Sequence, residues 1–208
     1  MSESLKKMIG IFVAYPGLAL PSRSIAAVIL TVVVVACQPS PPRLEASAGS
    51  ASVDPRPAVI GVDEGERRFL RGGTAPLLIK IDPVTTGSRR MVLGSSELPP
   101  GDAIGVHRHL KEDEIILITR GTARVQLGAQ FYTAGPGATV FIPQGTCIGV
   151  VNTGSDTLSN TFVFSAPGFE QVLRAVSTVP GAPPQTVSPA ERAAAFHHGN
   201  AQASPDDC

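Results

Sequence analysis

From Val59 to Ala166 the chain is never free to run far in one direction. Apolar and β-branched segments of three to nine residues are separated, again and again, by glycine or proline. The breaks fall at Gly87, Pro99-Pro100-Gly101, Gly128, Gly135-Pro136-Gly137, Pro143-Gln144-Gly145 and Gly154. Glycine supplies the positive φ of tight turns, and proline lacks the N–H a central strand must donate, so these are sites of chain reversal. The strands predicted between them are Arg67–Leu70, Leu77–Ile81, Arg90–Leu98, Ala103–His109, Glu114–Thr119, Ala123–Leu127, Phe131–Thr133, Thr139–Ile142, Cys147–Val151 and Leu158–Ser165. No long helical period interrupts them. Many short strands with turns this regular form a small antiparallel barrel or sandwich.

One stretch carries more than structure. Between Gly101 and Gly121 lie His107, His109 and Glu114. On a strand alternate side chains share a face, so His107 and His109 point the same way with Cα atoms about 6.6 Å apart. Two imidazoles so placed can converge on one ion at about 2.0–2.1 Å each. Leu110 to Asp113 is polar enough to reverse the chain, and Glu114 then opens a second strand that can face the same cavity. Two neutral imidazoles and a carboxylate suit iron, manganese, zinc or nickel. Lys111, Glu112 and Asp113 read as a solvated turn, and Arg108 as facing away from the two histidines.

The pattern Gly101-x5-His107-x-His109-x4-Glu114-x6-Gly121 resembles the first motif of the cupin superfamily. The second motif of that family has its counterpart in Gly137-x5-Pro143-x-Gly145-x2-Ile148-x3-Asn152, in which Ile148 stands where the family's fourth ligand, a histidine, is expected. Cys147 is one residue off. On a strand it points away from the cavity unless a bulge re-aims it, so a small buried apolar cysteine is the simpler reading. The resemblance covers roughly Glu66 to Gly199 and implies an all-β cupin double-stranded β-helix, or jelly-roll barrel, with short C-terminal helices.

Three readings of function stay open, the last a purely structural interaction domain whose barrel is plugged by side chains. The chain is similar to small single-barrel members that resemble flavonol dioxygenases. With Ile148 apolar, His107, His109 and Glu114 remain as a two-His, one-carboxylate set that leaves positions open for substrate and dioxygen. The substrate would then lie against Ile104, Ile116, Phe141 and Ile148. Alternatively the barrel holds no metal, Ile148 helps to fill it, and the three polar side chains form a hydrogen-bonded cluster that orients a small ligand without turnover.

The ends have other compositions. Residues 1–37 contain Arg23 followed by an apolar run, Ile25 to Ala36, too short for the roughly 20 residues that span a bilayer. It suits a secretory signal. Its end, Val34-Val35-Ala36-Cys37, resembles the lipobox of bacterial lipoproteins, which implies lipidation at Cys37, and Gln38 fits an outer-membrane protein facing the periplasm; a plain uncleaved membrane anchor is the alternative. Residues 38–58, rich in Pro, Ser, Ala and Gly, read as a disordered tether. The barrel is assigned to 59–179, and a C-terminal helix and tail to 180–208.

Near the C-terminus, Phe169, Val172, Leu173 and Val176 form one helical face that should pack on the barrel. Ser188-Pro189-Ala190-Glu191 is a capping box with proline at the first helical position, and the helix should stop near Gly199. His197 and His198 fall in its last turn, where the dipole favours cations. Residues 200–208 should fray. No disulfide is expected between Cys147 and Cys208. Lys plus Arg equals Asp plus Glu at 17 each and there is no Trp, which argues against a nucleic-acid partner. Ile115-Ile116-Leu117-Ile118 is apolar on both faces, so either N-terminal strands or a second subunit should cover its outer side, and a homodimer is expected.

Overall fold

The computed structural model describes residues 53–206 and Cys208. Cys37, the apolar run before it and the first part of the tether lie outside the described residues. The described end of the tether, 53–58, is exposed but not free: the Val53 N–H donates to Pro83 O and the Arg56 N–H to Thr86 O.

Eleven strands follow: β1 (Glu66–Leu70), β2 (Ala75–Ile81), β3 (Val92–Leu98), β4 (Ala103–His109), β5 (Glu114–Arg120), β6 (Ala123–Leu127), β7 (Gln130–Ala134), β8 (Thr139–Ile142), β9 (Cys147–Asn152), β10 (Leu158–Phe164) and β11 (Ala201–Ala203). Helices α1 (Phe169–Ala175) and α2 (Pro189–His198) lie between β10 and β11. The strands form a six-stranded sheet, β1-β2-β3-β10-β5-β8, and a five-stranded sheet, β11-β4-β9-β6-β7. Every pairing is antiparallel. This is the jelly-roll arrangement expected.

Alternation decides what faces inward. Along β3 and β10 every second residue is buried, and along β5 Glu114, Ile116 and Ile118 are buried while Ile115 and Leu117 are not. Strand side chains alternate between faces, so each sheet turns one apolar face to the other. One core cluster fills the space between them and includes Leu98, Ile116, Ile118, Val125, Ile148 and Leu158. A second joins Leu77, Val92, Phe162 and Phe164 to Phe169 and Val172 of α1, Ala195 of α2 and Ala201 of β11. The C-terminal helices therefore extend the core, as the spacing of Phe169, Val172, Leu173 and Val176 predicts. Arg174 anchors α1 to the six-stranded sheet side through Glu66 (Nε to Oε2, 2.9 Å) and Asp82 (Nη2 to Oδ2, 2.6 Å). The capping box of α2 forms as expected, with Ser188 and Glu191 bonded reciprocally.

The motif residues outside the ligand set serve the fold. Gly121 has φ +83°, and a Cβ there would stand 2.8 Å from Leu158 Cα, so a side chain is excluded by both conformation and space. Asn152 is fully buried; its amide donates to Leu98 O and Asp156 O, and its Oδ1 accepts from Gly154 N–H.

Three expectations are corrected. Ala201–Ala203 is not frayed: it pairs with Arg108 and the two histidines on β4. Cys208 is bridged to Cys147, with Cα atoms 5.9 Å apart, because β11 carries the tail back alongside the strand that β9 flanks on its other side. The outer face of β5 is also not covered by the N-terminal strands, because β3 and β10 lie between β2 and β5 in the same sheet. Ile115 and Leu117 remain 41% and 38% exposed.

Candidate metal centre

β4 and β5 bring the three polar side chains together from opposite sheets. His107 and His109 sit on the inward phase of β4, both buried, and Glu114 is the first inward residue of β5. Each offers a ligand atom, and these atoms lie within 4.8 Å of one another. Atoms bound at about 2.1 Å to a common ion stand at most roughly 4.2 Å apart, so the heads are within a small side-chain adjustment of convergence. Arg108, on the other phase, bonds Gln202 Oε1 on β11 (3.0 Å).

Local irregularity aims His107. The β4–β9 register shifts between Ile104 and His107. At that shift the Gly105 carbonyl lies 2.9 Å from His107 Nδ1. A carbonyl can only accept, so Nδ1 carries the proton and the neutral ring offers its Nε2 lone pair. Burial, reinforced by the positive charge of His109, holds the His107 pKa below its usual value, which keeps the ring neutral near pH 7.

His109 has the opposite surroundings. Its Nδ1 is 3.3 Å from Glu112 Oε1 and its Nε2 is 3.2 Å from Glu114 Oε2. Burial opposes its charge, but the two carboxylates outweigh burial and push its pKa up to about 9. Glu112 is no solvated turn residue. Its side chain is fully buried, and a Cβ on Gly168, at the start of α1, would stand 3.9 Å from its Oε1. The surrounding turn is fixed at several points: Leu110 N–H donates to Asn200 O, Gly145 N–H to His109 O and Gln144 N–H to Asp113 Oδ1.

These ion-pair distances are not aligned hydrogen bonds. Among the described residues the buried side-chain polar atoms without a hydrogen-bond partner are His109 Nδ1 and Nε2, both Glu112 oxygens and Glu114 Oε2. Buried polar atoms are otherwise almost always paired, so His109 Nε2 and Glu114 Oε2, which face one another, have capacity left for a further partner. The nitrogen and oxygen donors present fit a divalent transition ion. Aromatic rings wall the site: Phe169 stacks on His107 at 5.4 Å and meets the edge of His109 at 4.4 Å, and Phe164 lies 5.0 Å from His109.

A cavity of about 340 Å³ opens beside the centre. His107 and Glu114 reach it, and Ile104, Ile116 and Ile148 line it. Phe141 does not: it lies on the outer phase of β8, opposite Ile115, and is 58% exposed. Ile148 is paired directly with His107 across β4 and β9 and is wholly buried. Directly opposed residues share a face, so the place where a fourth donor would stand is filled by a hydrocarbon side chain. Cys147 pairs with Arg108 and lies on the other face, in its disulfide.

Residues 94–164 match the family model described as Cupin domain. Residues 94–164 of the barrel form a cupin domain. No curated protein sequence matches the chain. Among solved structures, a predicted oxalate decarboxylase from Thermotoga maritima is 21% identical, over 52% of this chain and 99% of its own, with a TM-score of 0.47. A sugar phosphate isomerase of the cupin superfamily from Silicibacter pomeroyi is 19% identical, over 53% and 77%, with a TM-score of 0.47. KdgF from Halomonas sp. is 17% identical, over 53% and 94%, with a TM-score of 0.46.

The cupin cavity also holds polar residues that the strand pattern does not single out. Asn160 Nδ2 donates to Ser96 Oγ (2.9 Å), and both residues line the cavity among apolar neighbours. Their signal was present: each occupies the inward phase of a strand whose other inward residues are apolar or glycine. Glu112 had no such signal, because a turn has no phase.

Proposed function

We propose that this cupin binds one divalent transition ion through His107, His109 and Glu114 and a small, largely apolar molecule in the adjoining cavity. The buried Nε2 of His109 and Oε2 of Glu114, neither with a hydrogen-bond partner and both beside His107, carry this reading. When bound, the ion would supply Lewis acidity and, if it is iron, redox capacity. The chain's own residues do the rest. The neutral His107 is already in the tautomer whose Nε2 lone pair is free to ligate the ion. Phe164 and Phe169 keep water from the rings, and Ile104, Ile116 and Ile148 hold the apolar body of the ligand. Ser96 and Asn160 can fix its polar end.

A two-His, one-carboxylate set serves dioxygenase-type chemistry, and we assign the protein to that class. The buried Ile148 favours a second reading, a metal-free module that binds the small molecule without turnover. The lipobox-like Cys37 and the tether after it support a place in the cell envelope, anchored by lipid and facing the periplasm. Elemental analysis of purified protein tests the metal reading. About one equivalent of iron, manganese, zinc or nickel is expected, and none in His107→Ala or His109→Ala. Wild-type protein that stays metal-free after reconstitution would leave only the second reading.

A further inference from the structure

The proposed metal site uses three of the four charged or ionisable groups buried at the centre and leaves Glu112 without a role. Its carboxylate is fully buried in a turn whose neighbours Leu110 and Lys111 are exposed. It lies against one nitrogen of His109 and, among the described residues, no other cation within ion-pair distance. The two imidazole nitrogens point from opposite edges of the ring. Glu114 stands at Nε2 and Glu112 at Nδ1, so an ion on the Glu114 side is out of reach of Glu112. Accordingly, the group of residues whose donor atoms converge contains His107, His109 and Glu114 but not Glu112.

A histidine that ligates a metal through one nitrogen donates its other N–H to an acceptor, which fixes tautomer and ring orientation. His107 has that acceptor in the Gly105 carbonyl. His109 lies among aromatic rings, and the acceptor beside its Nδ1 is Glu112. We propose that Glu112 is a positioning residue of the centre: its carboxylate accepts a hydrogen bond from His109 Nδ1–H, so that Nε2 faces the ion beside Glu114 and His107. This rests on the metal reading. The turn Leu110 to Asp113 thereby has a task beyond chain reversal, and the helix start at Gly168 that covers Glu112 belongs to the support of the site.

The test measures zinc(II) affinity of the full chain by competition with a chromophoric chelator, in wild type, Glu112→Ala, Glu112→Gln and His109→Ala. Long-range ¹⁵N–¹H spectra of histidine-labelled, zinc-loaded protein report the tautomer of His109. Glu112→Ala should still bind one zinc ion but about 10- to 100-fold more weakly, and the His109 Nδ1–H signal should lose its defined position. Glu112→Gln should recover most of the affinity, because an amide oxygen also accepts from Nδ1–H. A purely structural Glu112 would move neither the tautomer nor the affinity of folded protein. Wild-type affinity in Glu112→Ala overturns the proposal while sparing the metal reading. So does a loss in Glu112→Gln equal to that in Glu112→Ala, since charge alone would then matter. Zinc binding that is absent in wild type, or unchanged in His109→Ala, overturns both.

Discussion

Replacing Ile148 by histidine tests the centre by adding to it. Residue 148 faces His107 directly across β4 and β9. Cβ atoms of such a pair stand about 4.5–5.5 Å apart on one face of the sheet. A histidine there would aim at the same cavity wall as His107, with Glu114 across it. The exchange has a cost and a gain, and they appear under different conditions. Ile148 is wholly buried in the core. Full burial of such a side chain stabilises by about 1.5–3 kcal/mol, so a polar ring without a partner should make the metal-free variant less stable by at least roughly 2 kcal/mol. With metal present the new ring becomes a fourth ligand. If it tightens binding about 100-fold, saturating metal should stabilise the variant by about 2.7 kcal/mol more than it stabilises wild type. Urea unfolding in chelator and again in excess zinc(II) gives both numbers. The reasoning fails if zinc raises the midpoint of Ile148→His no more than that of wild type, for then position 148 does not look at an ion site. It fails equally if the variant loses nothing in chelator, since the core would not then depend on this side chain.

Three further outcomes follow from the geometry. Cys208→Ser opens a loop of 61 residues, which the chain-entropy model values at about 4 kcal/mol; thermal melts should fall accordingly, and dithiothreitol should reproduce the loss in wild type while leaving the variant unchanged. In metal-free protein His109 is held up to about 9, against 6.5 for the free side chain. A raised pKa gives stability that is complete below the unfolded value and is lost as pH rises through the folded one, so about 3 kcal/mol should disappear between pH 6.5 and 9 in chelator. His107, held below 6.5, acts in the opposite sense only at more acid pH. Unfolding curves flat across that window would refute the pairing of His109 with Glu112 and Glu114. Finally, Ile115, Leu117 and Phe141 form an exposed apolar face, which predicts a homodimer, and Phe141→Asp should make it monomeric in sedimentation velocity. A monomeric wild type at high concentration would refute that.

Which features could be read from the sequence follows from where their signals lie. β4, β6 and β8 begin and end where alternation and turn residues place them, and the other strands of the barrel agree within two residues. Those signals are local: a period of two, and glycines such as Gly121 that need a positive φ. β11 could not be read that way. Ala201-Gln202-Ala203 has no pattern of its own; it is a strand because β4 offers an edge and Cys208 is tied to Cys147. Hydrophobicity alone places Phe141 in the cavity, and only the pairing with Ile115 reveals that it has the outer phase. A one-residue change of phase moves a side chain from one face of a sheet to the other, and composition is silent on phase.

The centre combines both kinds of information, and this explains its division into what was anticipated and what was not. His107, His109 and Glu114 sit on strands, so spacing alone predicts their common direction. Glu112 sits in a turn, and its burial is a tertiary effect of the chain near Gly168. Ile148 lies between these cases: its position is readable, but its consequence depends on the β4–β9 register that sets it against His107. Removing a ligand from one side of an ion leaves both an open position and less donor strength. An apolar residue at the open position favours an apolar ligand there over water. A buried carboxylate behind His109 makes that ring a stronger donor. On the proposed metal reading, Ile148 and Glu112 would therefore act on the same centre from opposite sides, one shaping what can approach the ion and the other strengthening the ligands that remain.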